Sequence, residues 1–147
     1  MRILIGADHR GVRHKAMIKE MLCERGHEVE DVGPDSEQSV DYPDYGLQVA
    51  RGVAEGRADR GVLICGSGIG MSIVANRVRG VRATLCLNEQ MARMARTHNN
   101  SNVLCLSQDL VDEDTTRRIV DLWLTTEFEG GRHSRRLDKI DEACASD

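Results

Sequence analysis

Residues Gly61 to Arg77, GVLICGSGIGMSIVANR, decide the fold prediction. The stretch begins with a short apolar run, passes through three glycines that alternate with Ser67 and Ile69, and continues with helix-like spacing. A buried strand, a tight turn and a helix in this order form one βα unit of a parallel sheet. Cys65 ends the strand, so its thiol is either a small packing group or a reactive group at the turn.

The same alternation of strand and helix patterns continues along the chain. The runs RILIGA, HEVEDVG, VRATLC and NVLCLS predict four further strands, and helical patterns separate them. We therefore predict an α/β fold with one doubly wound five-stranded parallel sheet and helices on both faces. The expected strand order is 2-1-3-4-5, and a last helix is expected over residues 132–146. Since no linker interrupts the pattern, we predict a single domain over residues 1–147.

Composition excludes several classes of protein. The net charge of −4 argues against a general nucleic-acid binder, and the 3% aromatic content argues against base-stacking platforms. No apolar run reaches the length of about 18 residues that a membrane span needs. The five cysteines are scattered and form no C-x-x-C pair, so neither a disulfide framework nor a zinc site is expected. This pattern predicts a cytoplasmic protein.

Polar residues cluster where two predicted strands end. Asp8 and His9 follow the first strand, and the glycine turn follows the third. In open parallel sheets, ligands bind beyond the carboxyl ends of the strands near the point where the strand order reverses. Here that point lies between strands one and three, so we expect a ligand site there.

The glycine turn itself allows two interpretations. Gly66, Gly68 and Gly70 allow the backbone to approach a ligand closely, and amides at a helix start favour an anion. No G-K-[ST] follows, and Met71 stands where a dinucleotide-binding turn would have its third glycine. The alternative is a tight turn with no ligand. The helix start favours the thiolate form of Cys65, although a cysteine that ends a buried strand is more often a packing residue.

Three other polar motifs have both structural and functional interpretations. THNNSN, residues 97–102, is either a polar loop or a source of catalytic groups, and DYPDY, residues 41–45, is either turn chemistry or a pocket wall. GGRHSRR, residues 130–136, is either a solvated helix start or an anion site. Its Arg132 and Arg136 are four residues apart and would share one helix face, which suits the grip of a phosphate.

Taken in order, ADHRG, DYPDY, LICGSGIGMSIVANR, HNN and EGGRHSRR resemble one family along almost the whole chain. They are similar to the type B ribose-5-phosphate isomerases, whose sugar-phosphate isomerase family also contains galactose-6-phosphate isomerase subunits. The resemblance implies a Rossmann-like fold, a homodimer or tetramer, and no metal or other cofactor. It also implies interconversion of D-ribose 5-phosphate and D-ribulose 5-phosphate.

The resemblance also assigns roles to residues of this chain. Cys65 would be the base that moves a proton between C2 and C1 through a cis-enediolate, with Ser67 supporting the thiolate, and His98 would open the sugar ring. The implied substrate-binding residues are Asp8, His9, Tyr42, Gly66, Gly68, Gly70, Asn99, Arg132 and Arg136. One departure concerns SQD, residues 107–109, because several relatives carry an arginine there. We expect Asp109 to weaken phosphate binding or to shift the substrate preference.

The predicted sheet separates two of the proposed catalytic residues. Cys65 follows strand three, whereas His98 precedes strand five, so the two lie at opposite edges, about 17 Å apart at 3.3 Å per residue. If both act on one sugar, His98 comes from a second subunit. The alternatives are a hexose 6-phosphate isomerase of the allose or galactose type and a non-catalytic phosphosugar-binding protein. Because all the matching residues are on this one chain, a homomer is expected.

Overall fold

A computed structural model describes residues 1–145, and within them five parallel strands form one sheet. The strands are β1 (Arg2–Ala7), β2 (Glu28–Asp31), β3 (Arg60–Cys65), β4 (Ala83–Leu85) and β5 (Val103–Ser107). The helices are α1 (Val12–Glu24), α2 (Tyr42–Ala54), α3 (Ile69–Ala75), α4 (Glu89–Thr97), α5 (Glu113–Thr125) and α6 (Arg132–Cys144). Ser146, where the last helix was predicted to end, lies outside the described residues.

Two apolar cores cover the two faces of the sheet. Alternate residues of each central strand face opposite ways, so Val62 and Ile64 join one core while Leu63 and Cys65 join the other. The first core also contains side chains from α1, α4 and α5, and the second contains side chains from α2 and α3. Helices therefore lie on both faces, and the predicted doubly wound α/β fold is confirmed.

The predicted strand order is wrong at one edge. The sheet has the order β2-β1-β3-β5-β4, so β5 lies beside β3 and β4 is an edge strand. Every residue of β5 is buried, as a central strand requires, whereas β4 has three residues and two of them are only partly buried. The loops after β1, β3 and β5 are consequently neighbours at the carboxyl edge.

Local sequence signals account for several helix boundaries. Asn88 precedes a helical pattern and is a preferred N-cap residue, and it caps α4 because its side-chain oxygen accepts the Met91 N–H at 2.9 Å. Asp112 caps α5 in the same way through the Thr115 N–H at 2.8 Å. In the part of the chain that the structure describes, every helix is too short or too polar to cross a bilayer. The cytoplasmic location stays a prediction.

Candidate active site

The turn after β3 places a backbone amide directly on the Cys65 thiol. The Gly68 N–H donates to Cys65 Sγ at 3.1 Å, while the Ser67 hydroxyl accepts the Ile69 N–H at 3.2 Å. Gly68 has φ +78°, a left-handed conformation that glycine adopts without steric cost. A hydrogen bond donated to sulfur favours the thiolate. In this geometry the amide of Gly68, rather than the hydroxyl of Ser67, supplies that bond.

The other buried cysteines differ from Cys65 in their surroundings. Burial raises the pKa of Cys86 to about 11, although the Thr84 hydroxyl, 3.9 Å from Sγ, opposes the increase. Burial also raises the pKa of Cys105, and its Cys65 and Cys86 neighbours add to the effect. Both side chains are fully buried and are packing residues. Cys65 is 5% exposed and lies at the sheet edge beside the turn.

The loop after β1 lies against the same turn. The Asp8 N–H donates to the Ile64 backbone oxygen at 3.1 Å, and Asp8 Oδ1 accepts the Arg10 N–H at 2.9 Å. His9 Nδ1 lies 3.2 Å from both the backbone nitrogen and the backbone oxygen of Val40. These contacts fix the loop next to β3 and attach it to the segment that leads into α2.

Tyr42 forms a wall over the glycine turn. It is the first residue of α2, and a methyl group placed on Gly70 would come within 2.9 Å of two of its ring atoms. The tyrosine ring therefore packs directly against the turn, and only glycine at position 70 leaves room for the ring. The structure brings these residues together at the carboxyl edge, and we call them the first half-site: Asp8, His9, Tyr42, Cys65 and the turn Gly66–Gly70.

The remaining predicted site residues lie elsewhere in the fold. His98 is the C-cap residue directly after α4, and its ring stacks on the His133 ring of α6 with centroids 4.4 Å apart. Asn99 lines a cavity together with Leu137 and Asp141 of α6. Arg132 and Arg136 are exposed on α6, one turn apart. We call this group the second half-site: His98, Asn99, Arg132 and Arg136.

Strand register separates the two half-sites within one chain. Cys65 pairs with Ser107 at the carboxyl end of β5, whereas Gly61 pairs with Val103 at its beginning. His98 precedes Val103 and therefore belongs to the opposite edge from Cys65. The structure thus does not bring His98 and Cys65 together in one subunit.

His133, the stacking partner of His98, belongs to the GGRHSRR motif but had no role predicted from the sequence. Burial lowers the pKa of His133, and the neighbouring His98 and Arg132 lower it further, although Glu129 opposes the decrease. Its Nε2 lies 3.5 Å from Glu129 Oε2, and the potential ligand atoms of His98, Glu129 and His133 are within 4.8 Å of one another. The imidazole planes are only 15° from parallel, so their nitrogen lone pairs do not converge on one point as a tetrahedral metal site requires.

Arg10, which likewise had no role predicted from the sequence, forms an ion pair with Asp109. A methyl group placed on Gly66 would come 2.9 Å from Asp109 Oδ2 and 3.0 Å from Arg10 Nε, so the pair lies directly over the turn. Asp109 is therefore not the free carboxylate that the sequence suggested. The arginine follows Asp8 and His9 directly in the chain, but its partner is 99 positions away and becomes a neighbour only because β5 lies beside β3.

Comparison with known proteins identifies the family. The model of the family described as Ribose/Galactose Isomerase matches residues 3–140. The chain belongs to this family. Membership makes it an aldose–ketose isomerase, and the resemblance to type B ribose-5-phosphate isomerases is confirmed.

Relatives match the isomerase over nearly its full length. Ribose-5-phosphate isomerase B of Escherichia coli is 45% identical over 139 residues, which cover 95% of this chain and 93% of that protein. The structure of ribose-5-phosphate isomerase B from Clostridium thermocellum superimposes with a TM-score of 0.98 at 50% identity, covering 99% of each chain. That of the Mycoplasma genitalium enzyme with bound ribulose-5-phosphate gives 0.96 at 42% identity, covering 99% of this chain and 97% of the other.

A pair of glycine substitutions tests the importance of the Gly68 amide. Gly68→Ala and Gly80→Ala both place a side chain at positive φ, +78° and +85°, and this backbone strain alone should lower the free energy of unfolding by about 1–2 kcal/mol in each variant. Only at Gly68 would the methyl meet other atoms, including the Leu106 backbone oxygen at 3.0 Å, and displace the N–H from Cys65. We expect kcat to fall about ten- to a hundredfold in Gly68→Ala, the loss of one hydrogen bond to a charged group, and to stay unchanged in Gly80→Ala.

Denaturant unfolding and steady-state kinetics of the two variants make the comparison. Equal kcat values in the two variants would contradict a role for the amide.

Proposed function

We propose that the isomerase interconverts D-ribose 5-phosphate and D-ribulose 5-phosphate with Cys65 as the base. The substrate proposal is supported by the E. coli relative named for this activity and by the M. genitalium structure that contains ribulose-5-phosphate. The observation that carries the mechanism is the 3.1 Å hydrogen bond from the Gly68 N–H to Cys65 Sγ, which stabilises a sulfur that bears negative charge.

The proposed chemical step is a proton transfer between adjacent carbons. The Cys65 thiolate removes the proton from C2 of the open-chain aldose, and the electron pair of that bond forms a C1–C2 double bond while O1 becomes an oxyanion. The thiol then returns the proton to C1, and the hydroxyl proton of O2 passes to O1. The product is the ketose, and no oxidant or reductant is needed. One positioned acid–base group of this kind contributes about 10²–10⁴-fold to the rate.

The proposed donors to the enediolate oxygens are backbone amides of the turn other than those of Gly68 and Ile69, which already bond to Cys65 and Ser67. The turn from Gly66 to Gly70 leads into α3, so its N–H groups form part of an anion-binding concavity. Within the first half-site, Asp8 and Tyr42 are the proposed partners of the sugar hydroxyls. Ser67, whose hydroxyl accepts the Ile69 N–H, would hold the turn in shape.

We infer that the complete site contains residues from two subunits. Cyclic ribose 5-phosphate must open before C2 can react, and His98 is the proposed proton shuttle for this step. Since His98 and Cys65 lie at opposite sheet edges of one chain, a homodimer or dimer of dimers would join the first half-site of one subunit to the second half-site of its partner. Asn99 would then reach the enediolate from the partner.

The phosphate is the proposed anchor of the substrate. His9 of the first half-site, together with Arg132 and Arg136 of the second, would bind it. Arginine side chains four residues apart on one helix face can grip the same phosphate. Binding energy from this group, remote from the reacting carbons, would orient C1 and C2 against the sulfur.

A coupled assay with two substrates tests the proposed function. We expect kcat/KM for ribose 5-phosphate to exceed that for allose 6-phosphate by at least about tenfold, because the longer sugar adds a carbon and a hydroxyl to the same pocket. The reverse preference would indicate a hexose 6-phosphate isomerase. Binding of ribose 5-phosphate without turnover would indicate a phosphosugar-binding protein instead.

A further inference from the structure

An arginine–carboxylate pair crosses the glycine turn from one side to the other. Arg10 belongs to the loop after β1, and Asp109 follows β5, while the turn follows β3 between them. The Arg10 Nη2 group donates to Asp109 Oδ2, and both side chains lie over Gly66. Gly66 is the residue next to Cys65, so the pair stands at the rim of the proposed reaction centre.

The backbone on both sides of this pair is fixed. The Arg10 N–H is bound by the buried carboxylate of Asp8 at 2.9 Å. On the other side, the Asp109 N–H donates to the Gly66 backbone oxygen at 3.0 Å, and the Ser107 hydroxyl donates to the same oxygen at 2.6 Å. Arg10 is therefore held over the turn at both ends. Its backbone N–H bonds to Asp8, and its guanidinium bonds to Asp109.

Arg10 retains hydrogen-bonding capacity toward solvent. A guanidinium carries five N–H donors, and its side chain is 60% exposed although one nitrogen is engaged by Asp109. His9, a proposed phosphate ligand, precedes it directly. Cys65 is only 5% exposed, so a sugar whose C2 reaches the sulfur would direct its charged end outward, toward this rim.

We propose that Arg10 binds the phosphate of the sugar phosphate and that Asp109 positions its guanidinium over Gly66. This proposal rests on the proposed function. It assigns the phosphate site a cation from the subunit that supplies Cys65, in addition to the arginines of α6. Asp109 accordingly strengthens phosphate binding through Arg10 instead of repelling the substrate.

Kinetics of Arg10→Gln test the binding role. Loss of a charge-assisted bond to phosphate should raise KM for ribose 5-phosphate about ten- to a hundredfold and change kcat much less. The inhibition constant of inorganic phosphate should rise by a similar factor. Arg13→Gln is the matched control, because Arg13 forms a similarly exposed pair with Glu113 at 3.2 Å on the neighbouring helix. The control should leave both constants unchanged.

Asp109→Asn and the Arg10→Gln/Asp109→Asn double variant distinguish two explanations of the pair: either Asp109 positions Arg10 for phosphate, or Arg10 only neutralises the charge of Asp109. If Asp109 positions Arg10, Asp109→Asn should raise KM several-fold with kcat retained, and the Arg10→Gln/Asp109→Asn double variant should stay as weak as Arg10→Gln. If Arg10 merely cancels the charge of Asp109, the double variant should regain the wild-type KM. That recovery, or an unchanged KM in Arg10→Gln, would overturn the proposal.

Calorimetric titration with inorganic phosphate keeps this test independent of the proposed function. A wild-type protein that binds phosphate but does not isomerise ribose 5-phosphate would contradict the proposed activity alone. In that case, weaker phosphate binding by Arg10→Gln than by Arg13→Gln would still support the role of Arg10. Equal phosphate affinity in these two variants would refute it.

Discussion

Replacement of Cys65 by alanine is expected to lower kcat for ribose 5-phosphate by about 10²–10⁴-fold, the contribution of one positioned acid–base group. The variant lacks the sulfur that accepts the Gly68 N–H, so no group at this place can take the proton from C2. KM should change much less, because the proposed phosphate contacts are elsewhere. A coupled spectrophotometric assay measures both constants.

Cys86→Ala is the matched control for this substitution. Cys86 is also buried and free, but its pKa is raised to about 11 by burial, so it is a thiol at neutral pH. Both substitutions remove one sulfur from an apolar core and should cost similar stability. We expect near-wild-type kcat in Cys86→Ala. A Cys65→Ala variant as active as this control would exclude the thiol as the base.

Mixing two inactive variants is expected to restore activity if the site is shared between subunits. Cys65→Ala lacks a functional first half-site, and His98→Ala lacks a functional second half-site. In a mixed dimer, one of the two sites combines the intact Cys65 with the intact His98. Since random exchange makes half of the dimers mixed, about a quarter of the wild-type activity should return. Activity is measured after co-refolding, with native mass spectrometry to quantify mixed dimers.

A second mixture controls for nonspecific recovery. Cys65→Ala and Asp8→Ala both alter the first half-site, so no combination of these chains forms an intact site, and no activity should return. Confirmed mixed dimers of Cys65→Ala and His98→Ala that stay inactive would contradict the shared site.

The elements of this fold could be predicted because their patterns are strong and local. Short strand patterns separated by helical patterns predicted all five strands, and Asn88 predicted the start of α4. The position of the first half-site followed from a general rule, since Asp8 and the glycine turn end strands that are adjacent in the sheet. The placement of Cys65 and His98 at opposite ends of the strands followed from the parallel chain direction alone, because Cys65 ends one strand and His98 precedes another.

The order of the strands in the sheet could not be predicted from such local patterns. A pattern identifies a strand but not the strand beside it, and the exchange of β4 and β5 depends on how completely each is covered by helices. This error concealed the pair of Arg10 and Asp109, since their contact requires β5 next to β3. The stacking of His98 on His133 was likewise hidden, because it depends on how α6 docks against the end of α4.

Deuterium exchange at C1 of ribulose 5-phosphate tests the central claim most directly. This ketose has its C5 oxygen phosphorylated and stays open-chain, so exchange requires the base but no ring opening. In D₂O, followed by NMR, we predict that the wild type and His98→Ala incorporate deuterium at C1 and that Cys65→Ala does not. Incorporation by Cys65→Ala at the wild-type rate would contradict the assignment of Cys65 as the proton-transferring group.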